Sequence, residues 1–360
     1  MREFQQRRSA LAEQLAPLKT DAILVSFLPN VRYLTGYTGS NGMLLLFASG
    51  AATFFTDPRY RIQAAAEVDC PIKVSTGPLL PDVVARIARK RIRRLGFEKS
   101  RLGYEAYERL KSKLPVRCTL EALAGLPEAQ RMIKSAQEIA LIRRSVEANS
   151  KAFEAALRVI RPGKTTEMDL AAEIDYRMRK LGAERPAFET IVASGRRSAL
   201  PHAQPTKTII GKNELLLIDM GATLAGYASD MTRMVFLGRP SNRIKRIYRA
   251  VLEAQLAAIS AVRPGVRAAR VDGQARETLK AAKLDEAFVH STGHGLGLEI
   301  HEPPRLGKKD KAHLQVGMAI TIEPGVYLKG FGGVRIEDTV IVTETGCEVL
   351  TPTSKELREL

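Results

Sequence analysis

Two acidic side chains interrupt apolar sequence near the middle of the chain, in ELLLIDMGATLAGYASDMTR at 214–233. Asp219 interrupts the first apolar run, and Asp230 lies in the returning segment 227–236, which is again mainly apolar. The pattern predicts two strands joined by a short loop, with one acid on each strand. Neighbouring strands lie about 4.8 Å apart, so the two carboxylates require either a shared proton or a cation between them. This stretch alone leaves both alternatives open.

A second pair of acids follows later in the chain. Glu323 in AITIEPGVYL and Glu337 in GVRIEDTVIV again interrupt apolar strand sequence. Each pair is preceded by two predicted helices with an Arg-Pro-Gly break between them, and by a Gly-containing stretch with histidine, ASGRRSALPH or HSTGHGLGLEIH. This self-similarity indicates an internal duplication. Two halves packed about a pseudo-twofold axis would bring both acid pairs into one cleft.

His294 completes the set of candidate metal ligands. It lies in STGHGLG, where glycines let the backbone approach a metal ion closely. Four carboxylates and an imidazole suit two divalent ions of the Mn, Co, Fe or Zn kind, about 3.5–4 Å apart and bridged by hydroxide. In this arrangement Asp230 and Glu337 bridge the ions, Asp219 caps one ion, and His294 and Glu323 cap the other. A lone strand acid or a lone histidine is usually structural, so the prediction depends on the joint pattern.

Composition sets the class of protein. The chain has 360 residues, 45% of them hydrophobic, which favours two domains with ordinary globular cores. It has no apolar run long enough for a transmembrane helix, and its charged, amphipathic N-terminus lacks the apolar core of a secretory signal. The cysteines Cys70, Cys118 and Cys347 are far apart, which suggests a reducing compartment and no disulfide framework. These features predict a cytoplasmic protein that does not bind membranes.

The net charge of +17 raises the alternative of a nucleic-acid partner. The basic residues concentrate in segments such as 86–94 and 243–249, which resemble the polar faces of helices. No RNA- or DNA-binding motif accompanies them, and aromatic residues are sparse. A solvated helix surface is the preferred interpretation, and a nucleic-acid partner is not expected.

The order of predicted elements divides the chain in two. Helices are predicted at 2–15, 60–67, 82–91 and 106–113, and strands at 22–27, 43–47, 52–56, 72–75 and 95–98. This alternation predicts an α/β domain with a mixed sheet. We place the boundary within 119–134, which gives domains 1–125 and 126–360. The second domain begins with a capping box at Ser135 and Glu138, and its helices are predicted from 136 to the break at 161–163, and at 166–181, 244–262 and 268–282.

The motifs that carry the candidate residues resemble those of a known family. The segments SALPHAQP, LIDMGATLAGYASDMTR, HSTGHGLGLEIHEPP, TIEPGVY and GGVRIEDT are similar to signatures of the pita-bread metallopeptidases, most of all the Xaa-Pro peptidases prolidase and aminopeptidase P. NVRYLTGYTGSNG and FFTDPRY resemble the creatinase-like domain that precedes the catalytic domain in those enzymes. The resemblance implies an α+β chain, with a creatinase-like α/β domain followed by a pita-bread domain with a pseudo-twofold internal repeat. It implies the same five metal ligands.

The resemblance also implies roles for further residues. His202 matches a histidine beside the scissile carbonyl, where it stabilises the oxyanion or moves protons. His290 and His301 match histidines that line the proline and leaving-group side. Arg335 matches an arginine near the metals that contacts the substrate or orients the histidines. Glu323, besides binding metal, can take the proton of the attacking water and pass it to the leaving nitrogen.

Three further residues carry weaker expectations. Arg196 and Arg197 lie in a loop that the family uses near the substrate pocket, so they could tune specificity. Thr232 is either a hydrogen-bond partner of a bridging carboxylate or an ordinary strand threonine.

Together with this resemblance, the site residues predict a metal-dependent Xaa-Pro dipeptidase with two divalent ions per subunit, and the resemblance further implies a homodimer. Manganese is favoured among the ions, with cobalt or zinc as alternatives. The alternative activity is a Xaa-Pro aminopeptidase that acts on longer peptides. A creatinase-like amidinohydrolase and a non-catalytic binding protein are disfavoured, because both would be expected to lack ligands that this chain retains.

Overall fold

A computed structural model describes residues 2–360 of the chain. They form two compact units that divide between Arg131 and Met132. The domain boundary at 125/126 stays a prediction, because a compact unit does not by itself show which residues fold independently.

The first unit is built around one mixed sheet of six strands. Its helices are α1 Arg2–Leu15, α2 Leu28–Thr35, α3 Arg61–Glu67, α4 Leu79–Arg89, α5 Tyr104–Lys113 and α6 Leu126–Arg131. Its strands are β1 Ala22–Val25, β2 Met43–Phe47, β3 Ala52–Thr56, β4 Ile72–Val74, β5 Arg94–Glu98 and β6 Thr119–Leu123. The strand order is β4-β3-β2-β1-β5-β6, with antiparallel pairing along β1–β2–β3 and parallel pairing elsewhere. The predicted α/β unit with a mixed sheet is therefore confirmed.

The sequence prediction missed α2, β6 and α6. Helix α2 begins without a side-chain cap, carries a proline in its first turn and is followed by Gly36 as its C-terminal cap, with a φ of 81°. It spans only 8 residues, so tertiary packing rather than propensity stabilises it.

The second unit has four helices and fourteen strands. Its helices are α7 Ala136–Leu157, α8 Glu167–Lys180, α9 Asn242–Ala261 and α10 Ala268–Ala281. Its strands are β7 Arg185–Pro186, β8 Ile191–Ser194, β9 Leu215–Met220, β10 Ala222–Leu224, β11 Tyr227–Ala228, β12 Met231–Phe236, β13 Gly293–Gly295, β14 Glu302–Leu306, β15 Ala319–Ile322, β16 Gly325–Leu328, β17 Gly332–Arg335, β18 Asp338–Val342, β19 Cys347–Val349 and β20 Arg358–Glu359. The main sheets run β20-β12-β9-β8 and β14-β13-β15-β18-β19, and two small sheets run β11-β10-β7 and β16-β17.

The predicted capping box starts α7, since Ser135 Oγ accepts from the Glu138 N–H and the Glu138 side chain accepts from the Ser135 N–H. The helix ends at Leu157, before the predicted Arg-Pro-Gly break. Val159 and Ile160 donate to carbonyls three residues back, which tightens the chain into a turn.

The internal duplication is visible in the pairing of strands. In the first half β9 pairs with β12 and places Met231 opposite Met220. In the second half β15 pairs with β18 and places Asp338 opposite Ile322. Each pair is interrupted by a small hairpin, β10–β11 in the first half and β16–β17 in the second. Each half also begins with two helices, α7 and α8 or α9 and α10.

One detail of the predicted strands is wrong. Only Asp219 lies within a strand, whereas Asp230, Glu323 and Glu337 lie at the junctions between the main strands and the inserted hairpins. The sequence did not reveal β10–β11, because its two-residue turn uses Ala225 and a glycine, with φ of 48° and 80°. Because these three acids lie between strands, their side chains do not have to follow the alternation of a strand and can point toward one another.

Side-chain alternation along β9 determines the direction in which the Asp219 side chain points. Leu216 and Ile218 pack in the cluster with α7 and α8, whereas Leu215 and Leu217 pack in the cluster that α9, α10, β15 and β18 share. Because successive side chains point to opposite faces, Asp219 points toward the second half of the unit. Among residues 2–360, none of the helices combines the length and the apolar composition needed to cross a bilayer.

Candidate metal centre

A cavity of about 1090 Å³ lies within the second unit. All nine site residues predicted from the sequence line it: His202, Asp219, Asp230, His290, His294, His301, Glu323, Arg335 and Glu337. Arg196 and Arg197 are not among its lining residues. The structure therefore brings both acid pairs and four histidines to one cavity, and it leaves the two arginines outside.

Three candidate ligands meet closely. Asp230, His294 and Glu337 each offer one ligand atom, and these atoms lie within 4.8 Å of one another. His294 Nε2 lies 3.6 Å from Asp230 Oδ2 and 3.5 Å from Glu323 Oε1. The imidazole nitrogen thus faces carboxylates from both halves, as an ion held among them would require.

The tautomer of His294 leaves this nitrogen free to bind a metal. Its Nδ1 lies 2.9 Å from the carbonyl oxygen of Gly295, so Nδ1 carries the proton and donates it. Burial, assisted by the electrostatic effect of His301, lowers the pKa of His294 to about 4. A neutral ring with an oriented N–H and an exposed lone pair is the form of histidine that binds metals.

The carboxylates cannot all be charged without a compensating cation. Burial raises the pKa of Asp230 well above its usual value, and the charges of Asp219 and Glu323 add to this. Burial likewise raises the pKa of Glu337, assisted by the charge of Asp230, and raises that of Glu323 to about 7. Asp219 Oδ1 is buried without a hydrogen-bond partner. These groups fit a site for divalent cations.

Arg335 connects ligands of the two halves. Its Nη2 donates to Asp219 Oδ2 at 2.5 Å, and its Nε donates to Thr232 Oγ1 at 3.0 Å. Thr232 in turn donates to Glu337 Oε2 at 2.8 Å, so its expected contact with a carboxylate is present. Arg335 Nη1 donates to the hydroxyl of Tyr327 at 2.6 Å. All three guanidinium nitrogens bind protein atoms, which favours an orienting role.

His290 belongs to the same network. Tyr327 OH lies 2.8 Å from His290 Nε2, and His290 Nδ1 donates to the carbonyl of Ser291 at 2.8 Å. Burial lowers the pKa of His290 to about 4 and raises that of Tyr327 to about 12, so the neutral histidine accepts from the protonated tyrosine. Asp272 on α10 is buried and accepts from the N–H and the hydroxyl of Thr292, which fixes the segment between the two histidines.

His301 lies beside His294, with their rings edge to face and 4.3 Å between centroids. Burial lowers its pKa, as does the charge of His202. The next residue, Glu302, is buried and accepts from Lys134 Nζ at 3.1 Å. This ion pair holds the start of β14, and with it the adjacent His301.

The loop that carries His202 is held by one carboxylate. Glu167, the first residue of α8, is completely buried. Its oxygens accept from the N–H and hydroxyl of Ser194, from Arg197 Nε, and from the N–H and hydroxyl of Thr206. Glu167 therefore ties both ends of the segment 194–206 and leaves the exposed His202 at the cavity.

Sequence reasoning missed two residues of the cavity network. Tyr327 is joined to Arg335 and His290, and Arg305 lines the cavity. Arg305 lies opposite His294 in the antiparallel pair β13–β14, so both side chains share one face. Arg305 could have been recognised as the basic residue in LEIHEPPRL, the segment that also carries His301. Tyr327 in GVY has no sequence feature that marks it as part of a site.

Comparison with known proteins agrees with this geometry. Residues 140–344 match metallopeptidase family M24, and residues 7–133 match the creatinase/prolidase N-terminal domain. The chain belongs to metallopeptidase family M24. This M24 peptidase therefore has the expected arrangement of a creatinase-like domain followed by a pita-bread catalytic domain, and family membership implies divalent metal ions.

Its relatives include peptidases of two kinds. The M24 peptidase is 40% identical over 337 residues to a Xaa-Pro dipeptidase of Pyrococcus horikoshii, and the alignment covers 94% of each chain. It superposes on the structure of a Xaa-Pro dipeptidase from Bacillus anthracis with a TM-score of 0.96, at 37% identity, over 99% of this chain and 100% of the other. An X-Pro aminopeptidase from Thermotoga maritima gives a TM-score of 0.90 at 34% identity, over 97% and 99% of the two chains.

Proposed function

We propose that this protein is a Xaa-Pro dipeptidase that uses two divalent metal ions. The observation that carries the proposal is the convergence of Asp230, His294 and Glu337, with Glu323 and Asp219 beside them. Asp230 and Glu337 would bridge the ions, Asp219 would cap one, and His294 and Glu323 the other. Because four of the five ligands are carboxylates, Mn²⁺ is the favoured ion.

Arg305 supports a dipeptidase rather than an aminopeptidase. A Xaa-Pro dipeptide carries its free carboxylate on the proline, only a few bonds from the scissile amide. Arg305 is the strand partner of His294 and lines the same cavity, so its guanidinium would be placed to bind that carboxylate. An arginine–carboxylate pair is strong and directional. A longer peptide would present an amide there instead.

The reaction assigns separate roles to residues of the cavity. When bound, the metal ions supply an activated water as nucleophile and polarise the scissile carbonyl. Glu323, which lines the cavity beside His294, can take a proton from the attacking water and return it to the proline nitrogen. His202, exposed in the cavity, can donate to the oxyanion as it forms.

The substrate bond also explains the histidines near the proline. The proline nitrogen of this bond belongs to a tertiary amide and has no N–H. A site that recognises substrates through a hydrogen bond from that N–H therefore cannot bind a Xaa-Pro bond. His290 and His301 would instead enclose the ring, with Tyr327 fixing the tautomer of His290. Arg335 would hold Asp219 and Tyr327 in place.

The decisive experiment compares a Met-Pro dipeptide with a Met-Pro-Ala tripeptide. The protein is stripped with chelator and reloaded with Mn²⁺, Co²⁺ or Zn²⁺. We expect cleavage of the dipeptide to return, most strongly with Mn²⁺. Preferential cleavage of the tripeptide would instead establish an aminopeptidase, the activity named for the Thermotoga relative. No turnover with any ion would contradict both. We further propose a cytoplasmic homodimer, which sedimentation and fractionation would test.

A further inference from the structure

Glu189 is a cavity residue that the proposed chemistry does not use. It lines the same cavity as the candidate ligands, and its side chain is exposed. Within residues 2–360, its carboxylate makes neither a hydrogen bond nor an ion pair. A charged group that lines a substrate cavity without a protein partner is available to bind a ligand.

Strand register places Glu189 at the Asp219 end of the cavity. Ile191 on β8 lies opposite Asp219 on β9, and both line the cavity. Glu189 precedes Ile191 by two positions, and both residues line the cavity. Thr190 points the other way, where its hydroxyl donates to Asp175 of α8 at 2.6 Å. The N–H of Ala187 donates to the carbonyl of Gly221 at 2.7 Å and keeps the segment beside β9.

The proposed binding mode then separates the two ends of a dipeptide. Arg305, opposite His294, would take the carboxylate of the proline. The amine and the side chain of the preceding residue would extend toward Asp219 and Glu189. Phe188 and Ile191 flank Glu189 and also line the cavity. An apolar wall that leads to a carboxylate suits a long aliphatic side chain with a positive end.

We propose that Glu189 makes the enzyme favour lysine or arginine in the position before proline. This inference rests on the proposed Xaa-Pro activity and goes beyond it, because it names the class of substrate. The aliphatic stem would pack on Phe188 and Ile191, and the cationic end would pair with the Glu189 carboxylate.

The test measures kcat/KM for Arg-Pro, Leu-Pro and Glu-Pro with the metal-loaded enzyme. We expect the Arg-Pro to Glu-Pro ratio to fall about 10-fold in Glu189→Gln, which removes the charge, and about 100-fold in Glu189→Lys, which reverses it. The Leu-Pro rate should change little. Because Glu189 is exposed, added salt should reduce the preference of the wild type.

Glu344→Lys is the matched control, since it makes the same charge change at an exposed residue outside the cavity lining. Its Arg-Pro to Glu-Pro ratio should equal that of the wild type. An unchanged ratio in Glu189→Lys, with all dipeptides still cleaved, overturns the inference and leaves the proposed function intact. An equal loss for every dipeptide would place Glu189 at the common ammonium group and also overturns it. Failure of the wild type to cleave any Xaa-Pro peptide overturns the proposed function and the inference together.

Discussion

The guanidinium of Arg335 binds the carboxylate of Asp219 across the two halves of the second unit, with 2.5 Å between Nη2 and Oδ2. Since this bond occupies Oδ2, the unpartnered Oδ1 of Asp219 remains available to a cation. Through Thr232 the same arginine also fixes Glu337. One side chain thus sets the orientation of an acid from each half.

Replacing Arg335 should therefore weaken metal binding. In Arg335→Lys a single ammonium cannot reach Asp219, Thr232 and Tyr327 together. We expect metal affinity to fall about 10- to 100-fold, as for other partners that orient ligands. Calorimetric titration of the stripped protein with Mn²⁺ measures this directly. Arg143→Lys, at an exposed pair with Glu348, is the control and should retain full affinity.

The Glu167 carboxylate supports a prediction about the loop of His202. Glu167→Gln keeps the shape but replaces an acceptor oxygen with a donor facing Ser194, Arg197 and Thr206. We expect a loss of about 1–3 kcal/mol in the free energy of unfolding. Because the loop carries His202, kcat should also fall, whereas Mn²⁺ affinity should stay near that of the wild type. Denaturant unfolding, kinetics and metal titration separate these effects. A large loss of metal affinity would contradict a role confined to the loop.

The proposed contact between Arg305 and the carboxylate of the substrate can be tested with a substrate that lacks this carboxylate. In Arg305→Gln we expect kcat/KM for Met-Pro to fall about 10- to 100-fold, because a charge-assisted bond is lost. Met-Pro amide, which has no carboxylate, should be cleaved equally by the variant and the wild type. Parallel kinetics with the two substrates provide the measurement. A similar loss for both would mean that Arg305 acts on something other than the substrate carboxylate.

The raised pKa values of the carboxylates predict how the stability of the metal-free protein depends on pH. Burial raises the pKa of Glu323 to about 7, and those of Asp230 and Glu337 are also raised. The folded metal-free protein therefore holds protons that the unfolded chain releases, so its stability falls as pH rises through about 7. His290 and His294 have the opposite effect, but only below their usual pKa of about 6.5.

Between about pH 6.5 and 8 the carboxylates should dominate. We expect the melting temperature of the stripped protein to fall across this range, and the increase produced by Mn²⁺ to be larger at the higher pH. Scanning calorimetry with and without metal measures both. A melting temperature of the stripped protein that rises with pH would show that the cluster does not destabilise the fold.

The sequence revealed the site better than it revealed the path of the chain through it. Asp219 was recognisable because a charge within a buried strand is costly. Asp230, Glu323 and Glu337 were found as acids, but their positions at strand junctions depend on hairpins whose strands are too short to give a periodic signal. Tyr327 and Arg305 escaped because their roles follow from strand register and hydrogen bonds, which are tertiary properties. Arg197 was assigned near the substrate, whereas its partner is the buried Glu167.

The duplication has a consequence for the order in which the protein matures. Asp219 and Asp230 come from the first half, and His294, Glu323 and Glu337 come from the second. Neither half holds a complete set of proposed ligands. A ribosome must therefore translate the chain past Glu337 before the complete set of proposed ligands can assemble. Binding of the ions by all five residues would therefore follow the folding of both halves and would not guide the folding of the first half.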